Sequence, residues 1–74
     1  LGIEDAFGQV VRRMRKERHL SQETLAFNSH LDRSFISLLE CGRKQPTLIT
    51  IFQIARALNV SPSEIIKAVE ELEG

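Results

Sequence analysis

Residues 20–42, LSQETLAFNSHLDRSFISLLECG, decide the fold of this 74-residue chain. Ser21 is a good N-cap ahead of Gln22, Glu23 and Thr24, and Glu23 favours the positive end of a helix dipole. Leu25 and Ala26 supply an apolar face to a short helix that ends near Ser29. Asn28, Ser29 and His30 break the pattern, and Asp32 offers a second N-cap. Arg33 to Glu40 then form another short helix, with Ile36 and Leu39 inward at i, i+3 spacing. Gly42 stands where a left-handed residue closes it. Two short helices joined by a tight turn are predicted over 21–29 and 32–40.

Such a pair suits the helix-turn-helix motif, whose second helix enters the DNA major groove. The fuller series resembles the Cro and phage-repressor type of regulator, the xenobiotic-response-element-like family. It is carried by Leu20-Ser21-Gln22-Glu23, Leu25-Ala26, Arg33-Ser34, Ile36-Ser37, Leu39-Glu40 and Gly42. Pro46-Thr47, Ile54-Ala55 and Ala57-Leu58-Asn59-Val60-Ser61 continue it, so the resemblance covers about residues 7–67. Restriction–modification controller proteins are the subtype that 20–42 looks most similar to.

Outward from this stretch, Phe7, Val10, Val11 and Met14 make the apolar stripe of a first helix over about 5–19, with Asp5 as its cap and His19 near its C-terminal dipole. Residues 1–4 read as a frayed end. After the polar loop Arg43-Lys44-Gln45-Pro46, Thr47 caps a fourth helix reaching Leu58. Leu48, Ile51, Phe52, Ala55 and Leu58 form its main apolar face, with Ile49 and Ile54 off it. Ser61-Pro62-Ser63-Glu64 is a capping box opening a fifth helix, about 61–72, with Ile65, Ile66, Val69 and Leu72 as one stripe. The fold class is therefore all-α. The resemblance implies a compact five-helix, lambda-repressor-like DNA-binding domain occupying residues 1–74.

Composition narrows the function. A hydrophobic content of 42% fits a globular domain with a small core rather than a disordered tail. No apolar run approaches the roughly 20 residues of a membrane span, and no signal peptide is visible. Leu1 rather than Met stands first, which fits a piece trimmed from something longer. A lone cysteine, Cys41, allows no internal disulfide and argues against a zinc site; a cytoplasmic protein is expected, without metal or cofactor. The chain offers no Ser-His-Asp or Cys-His arrangement and no glycine-rich phosphate loop, so it is read as not an enzyme. Its net charge is zero, yet Arg12, Arg13, Arg15, Lys16 and Arg18 crowd the first helix while Glu64, Glu70, Glu71 and Glu73 gather at the far end. A basic face and an acidic opposite end are expected.

The expected partner is double-stranded DNA, with no small-molecule ligand in this domain. Arg33 and Ser34, then Ser37, are placed to reach base edges, Arg33 through the bidentate contact that guanine accepts. Two placements fit Leu38: against a thymine methyl, or turned away from DNA. Gln22, at a helix N-terminus, is the first choice for a phosphate contact, with Arg43, Lys44 and Gln45 next. The resemblance implies that Arg15 pairs with Glu40, leaving the guanidinium near a phosphate. It also puts Phe35 where relatives carry Tyr or Thr; there it packs on a thymine methyl or on the neighbouring loop. His30 occupies a turn position where relatives carry glycine, so a positive φ is expected. Operators of this class are two-fold, so a homodimer is expected, formed by some subset of Ile49, Ile65, Ile66, Val69 and Leu72. The alternative is an antitoxin-type module that binds a protein through the C-terminal helix.

Overall fold

The computed structural model describes all residues 1–74 as five helices without a strand: α1 (Ile3–Glu17), α2 (Gln22–Ser29), α3 (Arg33–Glu40), α4 (Leu48–Leu58) and α5 (Pro62–Glu73). The helix α1 packs on α5 and α3, α2 packs on α3 and α4, and α4 packs on α5. Each helix contributes to one core, with Val10, Val11, Leu25, Ile36, Leu39, Ile54, Leu58 and Ile65 fully buried.

Three connections share one design. His19, His30 and Asn59 all have positive φ, and each is followed by an apolar residue and then an N-cap: Leu20-Ser21, Leu31-Asp32 and Val60-Ser61. The amide of the apolar residue donates back to a carbonyl of the finished helix: Leu20 to Arg15, Leu31 to Ala26, Val60 to Ala55. Its side chain then packs on the core. This is the Schellman closure with its hydrophobic contact, which turns the chain sharply at little cost in buried carbonyls. The positive φ expected at His30 is found, at 61°.

Ser21 and Thr47 accept the amides of Thr24 and Thr50, and Ser61 and Glu64 form the reciprocal capping box. Several expectations are corrected. Gly2, not Asp5, precedes the first turn of α1, so residues 3 and 4 are helical rather than frayed. His19 lies beyond the end of α1, in the turn. Asp32 holds the cap position of α3, but its side chain accepts no hydrogen bond there.

The face of α4 is also rotated from the one expected. Ile54, placed off the main face, is fully buried together with Ala55 and Leu58, whereas Leu48 is 72% exposed. A helix apolar on several sides carries no period strong enough to choose its inward side; packing against α2 and α5 chooses it. The same correction reaches the expected dimer surface. Ile65 and Val69 belong to the core of the single chain, at 0% and 5% exposure, and are not free for a partner. Ile49, Ile66 and Leu72 do remain exposed, and Leu48 and Phe52 join them.

Candidate nucleic-acid interface

One glycine on α1 sets how closely that helix approaches the second helix of the motif. A Cβ at Gly8 of α1 would overlap the backbone carbonyl oxygens of Leu39 and Glu40 at the end of α3. Glycine in a helix interior costs about 1 kcal/mol against alanine; here it lets α1 lie directly on the end of α3. Gly42 closes α3 with φ 76°, its amide donating to Leu39 and that of Arg43 to Leu38. It sits so close to Asp5 that a Cβ would collide with the carboxylate.

Under α3 lies a buried charged pair. Arg15 Nε donates to Glu40 Oε2 at 2.7 Å and Nη2 donates to Oε1 at 3.0 Å, while Nη1 donates to the carbonyl of Leu20 at 2.8 Å. The bidentate geometry is the strong form of this contact. The hydrogen bonds that Arg15 donates to Glu40 hold the guanidinium protonated above its ordinary range, against the opposing effect of burial. The pair that the resemblance implied is therefore present. Arg15 is only 8% exposed, and three of its N–H groups are engaged by Glu40 and the Leu20 carbonyl. Gln22 Nε2 also reaches Glu40 Oε1, at 3.1 Å, a contact that spacing alone gave no means of anticipating.

With Ile36, Leu39 and Glu40 turned inward, the remaining arc of α3 faces out. Arg33, Ser34 and Ser37 line a polar groove of ≈ 390 Å³ together with Gln22 of α2, and no apolar side chain enters it. Three of the four residues expected at base edges thus converge with the first-choice phosphate contact. Leu38 is 37% exposed and does not line the groove. Phe35 is half-buried and packs on the core cluster rather than standing free.

Arg43, Lys44 and Gln45 line a separate, smaller recess with Gly42 and Glu4. Gln45 Nε2 donates to Glu4 Oε2 at 3.0 Å, so its amide nitrogen is engaged with an acid of α1. On α1 itself the cations divide: Arg12, Arg13 and Lys16 are exposed and Arg15 is buried, while Arg18, just past its end, donates to the carbonyl of Met14. Beside that recess, with Glu4 and Gln45 common to both, Ile3, Phe7, Pro46, Ile51, Ile66 and Val69 line a largely apolar groove of ≈ 180 Å³. No helix is long and apolar enough to cross a membrane.

Comparison with known proteins points the same way. The pattern of the helix-turn-helix family matches residues 11–65. The chain is 41% identical over 61 residues to the control protein C.BamHI of Bacillus amyloliquefaciens, covering 81% of this chain and 75% of that one. Among solved structures, the restriction–modification controller protein C.AhdI of Aeromonas hydrophila superposes with a TM-score of 0.81 at 44% identity, over 82% of this chain and 92% of its own. The controller C.Esp1396I, solved as a tetramer in complex with its natural 35 base-pair operator, superposes with a TM-score of 0.88 at 26% identity, over 97% and 95% of the two chains.

Proposed function

The chain belongs to the helix-turn-helix family, and from that membership we propose that it is a sequence-specific DNA-binding transcriptional regulator of the controller type, reading a two-fold operator as a homodimer. The observation that carries this is the polar groove shared by Gln22, Arg33, Ser34 and Ser37 on the outer arc of α3. In this reading α3 lies in the major groove. Arg33, Ser34 and Ser37 meet base edges, Leu38 meets a thymine methyl, and Gln22 at the N-terminus of α2 donates to a phosphate. Arg43 and Lys44 add phosphate contacts, with Gln45 a weaker contributor because Glu4 holds its amide. Since the formal net charge is zero, affinity rests on these local donors, and binding weakens steeply with added salt.

A two-fold pair of chains sets two copies of α3 about one helical turn apart, roughly 34 Å. The exposed apolar side chains of α4 and α5, Ile49, Ile66 and Leu72 with Leu48 and Phe52, supply the surface for that pairing. The protein acts in the cytoplasm and by binding alone, without catalysis or a cofactor.

Selection of bound duplexes from random oligonucleotides tests the reading. The native protein should enrich a two-fold site, and Arg33→Ala should relax base preference at one position in each half-site, worth about 1–3 kcal/mol of discrimination. Enrichment of no sequence at low salt, by protein that remains folded, would sink it.

A further inference from the structure

Glu40 joins three helices through one carboxylate. Oε2 accepts Arg15 Nε from α1, and Oε1 accepts both Arg15 Nη2 and Gln22 Nε2 from α2. A carboxylate only accepts hydrogen bonds, so the chemistry dictates which end of the Gln22 amide faces it: the nitrogen. One N–H of that amide is spent on Glu40, and the second is left over on a side chain that lines the polar groove with Arg33, Ser34 and Ser37. A phosphate also only accepts. The amide nitrogen is thereby prepared as a two-donor bridge between a buried carboxylate and an anion outside.

We propose that Glu40 is a positioning residue for DNA binding, orienting the Gln22 amide so that its free N–H is presented to a backbone phosphate, while Arg15 neutralises the carboxylate that would otherwise repel that phosphate. This rests on the DNA-binding reading of the groove. It adds that Glu40, which is 9% exposed, acts on DNA through Gln22 as well as holding α1 against α3. Holding the amide in advance lowers the entropy lost when it meets its ligand.

A double-mutant cycle separates positioning from mere support of the fold. Arg15→Met combined with Glu40→Leu removes both charges together, a replacement that buried pairs commonly tolerate. In a Gln22 background this change should weaken binding to the selected operator about tenfold, the scale of one hydrogen bond to a charged group. In the Gln22→Ala background it should cost several-fold less, only what the loss of the α1–α3 clamp costs. In the free protein, the side-chain amide protons of Gln22 should be shifted away from those of exposed Gln9 in a ¹⁵N-resolved spectrum, and should move to the Gln9 region in the doubly substituted chain. Should the doubly substituted chain fail to fold, Glu40→Asp carries the same cycle, since it keeps a negative charge in the neighbourhood of Arg15 while drawing the carboxylate back by one methylene from the Gln22 amide and from Arg15 alike. Equal losses in both backgrounds, or Gln22 amide signals indifferent to Glu40, overturn the proposal while operator binding by the native chain stands. Failure of the native chain to bind any operator overturns the DNA-binding reading and this proposal with it.

Discussion

The helices α3 and α4 both owe their place to a buried inner face, yet they are anchored by different forces. The recognition helix α3 is only eight residues long and presents Arg33, Ser34 and Ser37 outward. Its inner face has room for two large apolar anchors, Ile36 and Leu39, and the third anchor is the Glu40 carboxylate bound to Arg15. By contrast, α4 is held by Ile54, Ala55 and Leu58 and leaves Leu48, Ile49 and Phe52 outside. Apolar burial is non-directional and tolerates a rotated helix. A bidentate ion pair fixes angle and register. The helix whose outward side chains must meet a ligand in one register is the one that carries the directional bond.

The largest effect should come from breaking that bond on one side. Glu40→Ala leaves the Arg15 charge buried and unpaired, with an expected loss of about 3–5 kcal/mol in urea unfolding. For a domain of this size that is much of its total stability. A loss below about 1 kcal/mol would mean that α3, like α4, is held by apolar burial alone. On α4 the contrast is between two sides of one helix. Ile54→Ala should destabilise by about 2–5 kcal/mol, whereas Leu48→Ala should stay within about 0.5 kcal/mol. Equal losses at the two sites would return α4 to the orientation that periodicity suggests.

The next test lies on α5, where neighbouring isoleucines have opposite fates. At a concentration low enough for both chains to be monomeric, Ile66→Glu should leave unfolding within about 0.5 kcal/mol of the native chain, while at higher concentration it shifts sedimentation from dimer to monomer. Ile65→Glu should prevent folding, because it places a carboxylate without a partner in the core. Monomers that also unfold at Ile66→Glu would join the two positions into one core.

The smallest effect concerns the cap of α5. The backbone amide of Ser61, and then its hydroxyl, hold the Glu64 carboxyl below its ordinary value, with a minor contribution from Arg18. A depressed carboxyl contributes stability above its unfolded pKa, and that contribution disappears as pH falls through the folded value. Titration followed by NMR should find Glu64 below an unpaired glutamate, and Ser61→Gly should move it up. An unmoved Glu64 would show that the Ser61 hydroxyl adds nothing to the hold of the backbone amide, which glycine keeps.

The helices themselves were legible in the chain because their signals are local. Ser21, Thr47 and the Ser61–Glu64 box mark starts, Gly42 marks an end, and Phe7, Val10, Val11 and Met14 mark one buried stripe; all lie within a turn or two of the feature they specify. The outward arc of α3 follows once Ile36 and Leu39 are turned inward, which is why Arg33, Ser34 and Ser37 were found together. The family resemblance, not spacing, pointed to Arg15 and Glu40. Gly8 carries a local sign, a glycine inside an amphipathic pattern, whose meaning depends on α3 approaching it from far along the chain.

What sequence alone determined is thus the number of helices, most of their ends, and the polar chemistry of the second helix of the motif, since hydrogen-bonding patterns and caps are settled by neighbours in the chain. Tertiary structure decided which side of α4 is buried, that Ile65 and Val69 serve the core while Ile66 does not, and that one carboxylate serves both Arg15 and Gln22. Those outcomes depend on contacts between residues 18 and 25 positions apart or more, where several apolar sides compete for one small interior and only close packing chooses among them.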